Sequence, residues 1–138
     1  MELCPSIVGA LGVLVALGAG CASSQPDAAA GQWRTRLRNA MSVSVETRQE
    51  RDRLSHVLVD AVEHDALEGL NLGEVQAAFG QGLSCADNSL CAEQGFTSDA
   101  LYFPIGQVAD DSIKQLPVLI VGFDGHGNIK RVYTLRTH

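Results

Sequence analysis

Apolar positions along the chain change their spacing several times, and each change marks a different element. Ile7 to Ala19 (IVGALGVLVALGA) is an unbroken run of apolar residues and glycines. Farther on, Leu54, Val57, Leu58, Ala61 and Val62 recur at the spacing that lines one side of a helix, while Asp52, His56, Asp60 and Glu63 fall mostly elsewhere. Thr47-Arg48-Gln49-Glu50 precedes this stripe with the spacing of a capping box, so a helix is expected to start there and run to about His64. Asn71-Leu72-Gly73-Glu74 repeats the capping pattern. Leu72, Val75, Ala78 and Phe79 then give a stripe of about two turns, which Gly80 should end as a C-terminal cap.

The last third of the chain has strand spacing. Leu101 to Ile105 (LYFPI) is the first strand candidate, and Pro104 suggests an edge position because proline donates nothing to a ladder. Gln107 to Gln115 is polar and reads as a returning loop. In the next run Leu116, Val118 and Ile120 alternate with Leu119, Val121 and Phe123, so both faces are apolar, as in a central strand. Asp124-Gly125-His126-Gly127 is a turn, and NIKRVYTLRTH returns antiparallel. Strict alternation would place Ile129, Tyr133 and Leu135 on one face and Lys130, Val132, Thr134 and Arg136 on the other. The expected fold class is α+β: two helices packed on one face of a three-stranded antiparallel sheet, in a domain spanning 46–138. Two helices cover one face. The other, represented by Val118, Ile120 and Val132, is then either a partner surface or covered by the N-terminal segment.

The length of 138 residues allows one modest core, and the 46% apolar content is inflated by the N-terminal run. A formal charge of −6 argues against nucleic-acid binding, which needs concentrated lysine and arginine. The charge is uneven: six arginines lie between Arg34 and Arg53, whereas Lys114 is the only base among eleven acids from Leu54 to Asn128. The basic stretch reads as a solvated linker and helix face, or as a segment lying near anionic headgroups.

At 13 residues, Ile7 to Ala19 fits the core of an export signal and is short for a membrane span. It ends in Leu17-Gly18-Ala19-Gly20-Cys21-Ala22-Ser23-Ser24, which resembles the lipobox of bacterial lipoproteins, in which the cysteine becomes the acylated first residue. Three fates remain open: lipidation at Cys21, secretion with the segment removed, and a retained short membrane helix. The first implies a signal peptide at 1–20 and a lipidated N-terminus with flexible linker at 21–45. Ala22 to Gly31 (ASSQPDAAAG) would serve as the tether. Ala22 after the cysteine resembles the sorting signal for the outer membrane, with the domain facing the periplasm. Trp33 either packs on the domain or rests at the membrane interface.

Cys85 and Cys91 remain as a pair separated by Ala-Asp-Asn-Ser-Leu, and in an exported protein such a pair reads as a disulfide. No further ligands lie at zinc spacing. The turn at Asp124 lacks the alternating acids and terminal glutamate of a calcium loop. His56, His64, His126 and His138 are dispersed, Asp110-Asp111 is a vicinal pair in a polar loop, and no nucleophile elbow or phosphate loop is present. No catalytic residue, cofactor, metal or small-molecule substrate is therefore expected.

Gly69-Leu70-Asn71-Leu72-Gly73-Glu74-Val75-Gln76-Ala77-Ala78-Phe79-Gly80 resembles the glycine-to-glycine helix signature of the SmpA/OmlA (BamE-like) small outer-membrane lipoproteins. Leu119-Ile120-Val121-Gly122-Phe123-Asp124, with Gly127 and Ile129, is similar to that family's strand, Phe-Asp turn and returning strand. The resemblance covers roughly Leu67 to Tyr133. It implies a non-enzymatic accessory or scaffold lipoprotein with an envelope protein as partner, serving envelope integrity or outer-membrane protein assembly. A rival expectation is an inhibitor-like module, since β-lactamase-inhibitor domains use the sheet face of a similar unit to contact an enzyme.

Overall fold

The computed structural model describes residues 25–108 and 115–136. The leader, Cys21, the Asp110-Asp111 pair and His138 lie outside the described residues. The fold is α+β, with four helices and a four-stranded antiparallel sheet among the described residues.

Helix α1 (Gln25–Met41) occupies the stretch expected to begin as a tether, so that expectation is corrected from Gln25 onward. Ala30, Leu37 and Ala40 are buried, with Trp33 packed beside them. These positions repeat every three or four residues, but alanine carries so little apolar surface that the stripe is faint in sequence. A two-residue strand, β1 (Ser44–Val45), leads into α2 (Arg48–Glu63). The Thr47 hydroxyl accepts from the Glu50 N–H, and the Glu50 carboxylate accepts from the Thr47 N–H, completing the expected box. Helix α3 (Leu72–Phe79) repeats the device with Asn71 and Glu74, and Gly80 caps its end at φ +99°.

Strand β2 (Leu83–Ser84) precedes a one-turn helix, α4 (Ser89–Glu93). Then come β3 (Leu101–Pro104), β4 (Gln107–Val108), β5 (Val118–Phe123) and β6 (Ile129–Leu135). The sheet order is β2-β3-β5-β6, and β1 pairs with β4 in a separate parallel clasp. The expected three strands thus become four, and β3 is internal. Pro104 is tolerated because β2 pairs only with Leu101 and Tyr102, which leaves one side of the strand open at the proline. Part of the expected polar loop, Gln107–Val108, is the clasp strand.

The α1, α2 and α3 layer packs on one face of the sheet. Its core holds Leu37, Leu54, Leu58, Val75 and Phe79 against Phe103, Leu119, Val121 and Phe123. Full burial of a leucine contributes about 1.5–3 kcal/mol, so Leu37, Leu54 and Leu58, all at 0% exposure, anchor this layer. Two arginines of the basic stretch fasten it. Arg34 Nε donates to the Ala66 carbonyl at 2.7 Å, and Arg38 Nη1 donates to those of Ala77 and Ala78 at 3.2 and 2.9 Å. The second contact places a cation on the unsatisfied carbonyls at the C-terminal end of α3.

The hairpin forms as expected, but its faces do not. Phe123 pairs with Ile129 while Gly122 pairs with Arg131, so Lys130 is an extra residue in the ladder. This bulge reverses the alternation beyond it. Val132 therefore sits opposite Val121 and packs into the helix-side core, whereas Tyr133 and Leu135 join the other face. Grouping Val132 with Val118 and Ile120 is corrected accordingly.

Candidate functional site

The outer face of the sheet, expected either to meet a partner or to be covered by the N-terminal segment, carries a disulfide-closed loop packed on Val118 and Ile120. Cys85 and Cys91 are bonded, with their Cα atoms 5.6 Å apart. The Asn88 side chain accepts from the Cys91 N–H at 3.0 Å and starts α4, Cys85 N–H donates to the Ala100 carbonyl at 3.0 Å, and Phe96 N–H donates to the Cys91 carbonyl at 2.9 Å. These bonds hold Cys85, Cys91 and Ala100 in one small cluster with Val118 and Ile120. Val118 keeps 8% exposure and Ile120 none, so neither side chain is available to a partner. The cover comes from the disulfide loop; α1 packs against α2 and α3 in the other layer.

What remains open on this face is a rim of partly buried side chains: Leu90, Phe96, Tyr102, Tyr133 and Leu135. The Phe96 and Tyr133 rings meet edge to face at 6.4 Å, and the Arg131 guanidinium lies 4.3 Å from the Phe96 centroid. A Cβ on Gly122 would stand 3.1 Å from the Phe96 ring, so the glycine lets the aromatic lie close to the strand. Between them is a hollow of about 190 Å³, lined in part by Thr97, Asp99, Lys130 and Arg131. Its charges are mixed.

A second hollow, about 450 Å³, runs between α2 and the end of β6, lined by Asp52, His56, Asp60, Glu63 and Arg136 among others. Polar residues of α2 thus lie beside Arg136, which directly follows β6. His56 Nδ1 is 2.9 Å from the Asp52 carbonyl and His64 Nδ1 is 2.7 Å from that of Asp60, so both rings bond to the backbone of their own helix. Trp33 stacks on His64 at 4.7 Å and carries Arg36 at 4.6 Å, which places the indole on the domain surface against α2's end.

The hairpin turn is built by one carboxylate. Asp124 Oδ1 accepts from the His126 and Asn128 N–H groups at 2.8 and 3.0 Å. These backbone hydrogen bonds, Asn128's first and His126's next, hold the Asp124 carboxyl below its ordinary pKa. The turn then docks on α3: Leu72 N–H donates to the Gly127 carbonyl at 2.7 Å, and Asn71 bridges Asn128. The two sequence segments that carried the family resemblance therefore meet in space, a contact no local pattern signalled.

Among the described residues no group of three or more histidines, cysteines, aspartates or glutamates is placed to hold a metal ion. No described helix is long and apolar enough to cross a membrane. A scan against protein-family models and searches of curated proteins and solved structures each returned no match.

Proposed function

We propose that this chain is a lipid-anchored domain facing the periplasm, a divergent relative of the SmpA/OmlA lipoproteins that acts without catalysis as an accessory or scaffold at the bacterial outer membrane. Its role on this reading is to support envelope integrity or outer-membrane protein assembly. The observation that carries it is the docking of the Asn71–Gly80 helix start onto the Asp124–Asn128 turn, through the 2.7 Å Leu72 to Gly127 hydrogen bond. Two helices and a following hairpin that are fixed to each other this way support a BamE-like arrangement, enlarged here by α1, β2, α4 and the clasp. The lipobox-like Gly20-Cys21 junction supports the anchor. More than one buried acyl chain, at about 0.8 kcal/mol per CH₂, would make attachment stable.

The rival inhibitor-like reading needs an open sheet face. Burial of Val118 and Ile120 weighs against that use of the face.

Metabolic labelling with a clickable fatty acid tests the anchor: the wild-type chain takes label and Cys21→Ser does not. Label retained by Cys21→Ser would overturn the assignment. Crosslinking in intact envelopes tests the role. Recovery of barrel-assembly components with the chain supports it, whereas recovery of one soluble enzyme favours the inhibitor-like class.

A further inference from the structure

We propose that the outer edge of β6 is a docking strand for an extended segment of another protein, one whose apolar centre is flanked by acidic residues. The sheet ends at β6, and among the described residues no element pairs with its far side. All six residues of β5 are buried, whereas none of the seven in β6 is.

Exposed edges are ordinarily blunted by charge, proline or a bulge, because their free N–H and C=O groups accept any passing strand. In β6 these devices flank the middle of the strand and leave it open. The bulge lies at Lys130 beside Arg131, and Arg136 follows the strand, while Val132-Tyr133-Thr134-Leu135 between them are four uncharged residues of high strand preference with no proline. Main-chain pairing would hold an added strand there, and side chains would select it. The opposite edge, β2, has only two residues and offers too short a ladder.

Charge selects the occupant. From Ile129 to Arg136 the chain carries three cations, Lys130, Arg131 and Arg136, and no acid; of these only Arg136 shares a hollow with the α2 acids Asp52, Asp60 and Glu63, so Lys130 and Arg131 lead the selection. Pairing with a second copy of this edge would bring like charges together at the ends of the shared ladder, which is unfavourable. A foreign strand with acids at its ends meets those cations with opposite charge, while its centre meets Tyr133 and Leu135 on the outer face and Val132 and Thr134 on the helix side. This surface deepens the scaffold reading, and depends on it only for where the partner resides.

The test uses the full-length chain in detergent and two acetylated, amidated peptides of alternating valine and threonine, one ended by glutamates and the other by lysines. The glutamate peptide is expected to shift backbone NMR signals along Val132–Leu135. It should bind roughly tenfold more tightly than the lysine peptide, since two cross-strand charge pairs change sign. N-methylation of alternate peptide bonds should abolish binding. The exposed double substitution Lys130→Glu/Arg136→Glu should invert the preference, with its fold checked by circular dichroism. Equal affinity for both peptides, shifts centred elsewhere, or an unchanged preference in the double variant would overturn the proposal. So would a dimer in sedimentation whose NMR shifts map to Val132–Leu135 without added peptide, because the occupant would then be a second copy. None of these readouts depends on Cys21, so failure here is distinguishable from failure of the anchor.

Discussion

Replacing Gly106 with alanine tests whether the β1 and β4 clasp is packed on α2. Gly106 has φ +109°, and a Cβ there would stand 2.8 Å from Val45 Cγ2, 2.9 Å from Leu54 Cδ1 and 3.4 Å from the Val43 carbonyl oxygen. Val45 and Leu54 are both at 0% exposure, so neither can swing into solvent to make room. Backbone strain at positive φ costs about 1–2 kcal/mol, and forcing a methyl into a packed core adds about 1–3 kcal/mol. Gly106→Ala should therefore destabilise the fold by about 2–5 kcal/mol. Two further substitutions separate the contributions. Gly80 has φ +99° and ψ 178°, a region essentially reserved for glycine, with nothing within 4 Å of a built Cβ, so Gly80→Ala should show the strain alone, about 1–3 kcal/mol. At Gly125 there is neither positive φ nor a neighbour within 4 Å, and Gly125→Ala should stay within about 0.5 kcal/mol of wild type. Urea unfolding, followed by circular dichroism and by the fluorescence of Trp33, measures all three, provided the denaturant slope is unchanged. If Gly106→Ala unfolds no more easily than Gly80→Ala, the methyl is accommodated and the clasp is not packed as described.

Removing the disulfide with Cys85→Ala/Cys91→Ala should cost about 2 kcal/mol from the entropy of the small closed loop, and should raise amide exchange across Val118 to Val121. An equally stable double variant with unchanged exchange would show that the loop is held by its hydrogen bonds alone. Asp124 gives a pH prediction whose sign is fixed by its lowered pKa. The hydrogen bonds to the carboxylate support the turn at any pH above the ordinary aspartate range, and that support fades as pH falls through the lower folded value. A carbon NMR titration should put the Asp124 midpoint below that of an unfolded peptide carrying the same turn; coincident midpoints would refute the hydrogen-bonded geometry.

Several features were legible in the sequence because their causes are local. The capping boxes at Thr47 and Asn71 join residues three apart, the α2 stripe repeats within one helix, and the Asp124 turn closes on residues two and four ahead. The Cys85 and Cys91 pair likewise lies within a separation of six. What sequence reasoning missed at the candidate site had weak or absent local signals. The alanines on α1 leave a faint stripe, and a two-residue strand such as β2 has no period at all.

The sequence by itself therefore determined where the second and third helices start, that a hairpin follows them, and which cysteines pair. Each is decided by hydrogen bonds or chain entropy within a few residues. Tertiary structure alone decided which side each strand residue faces, because one extra residue at Lys130 inverts the order and the strand's own alternation does not reveal it. It also decided that the disulfide loop packs on Val118 and Ile120 while α1 joins the other layer, and that Arg38 closes the end of α3 from 39 and 40 residues away. Such contacts join segments that are distant in the chain, so their free energy depends on how whole layers pack and leaves no periodic trace in either partner.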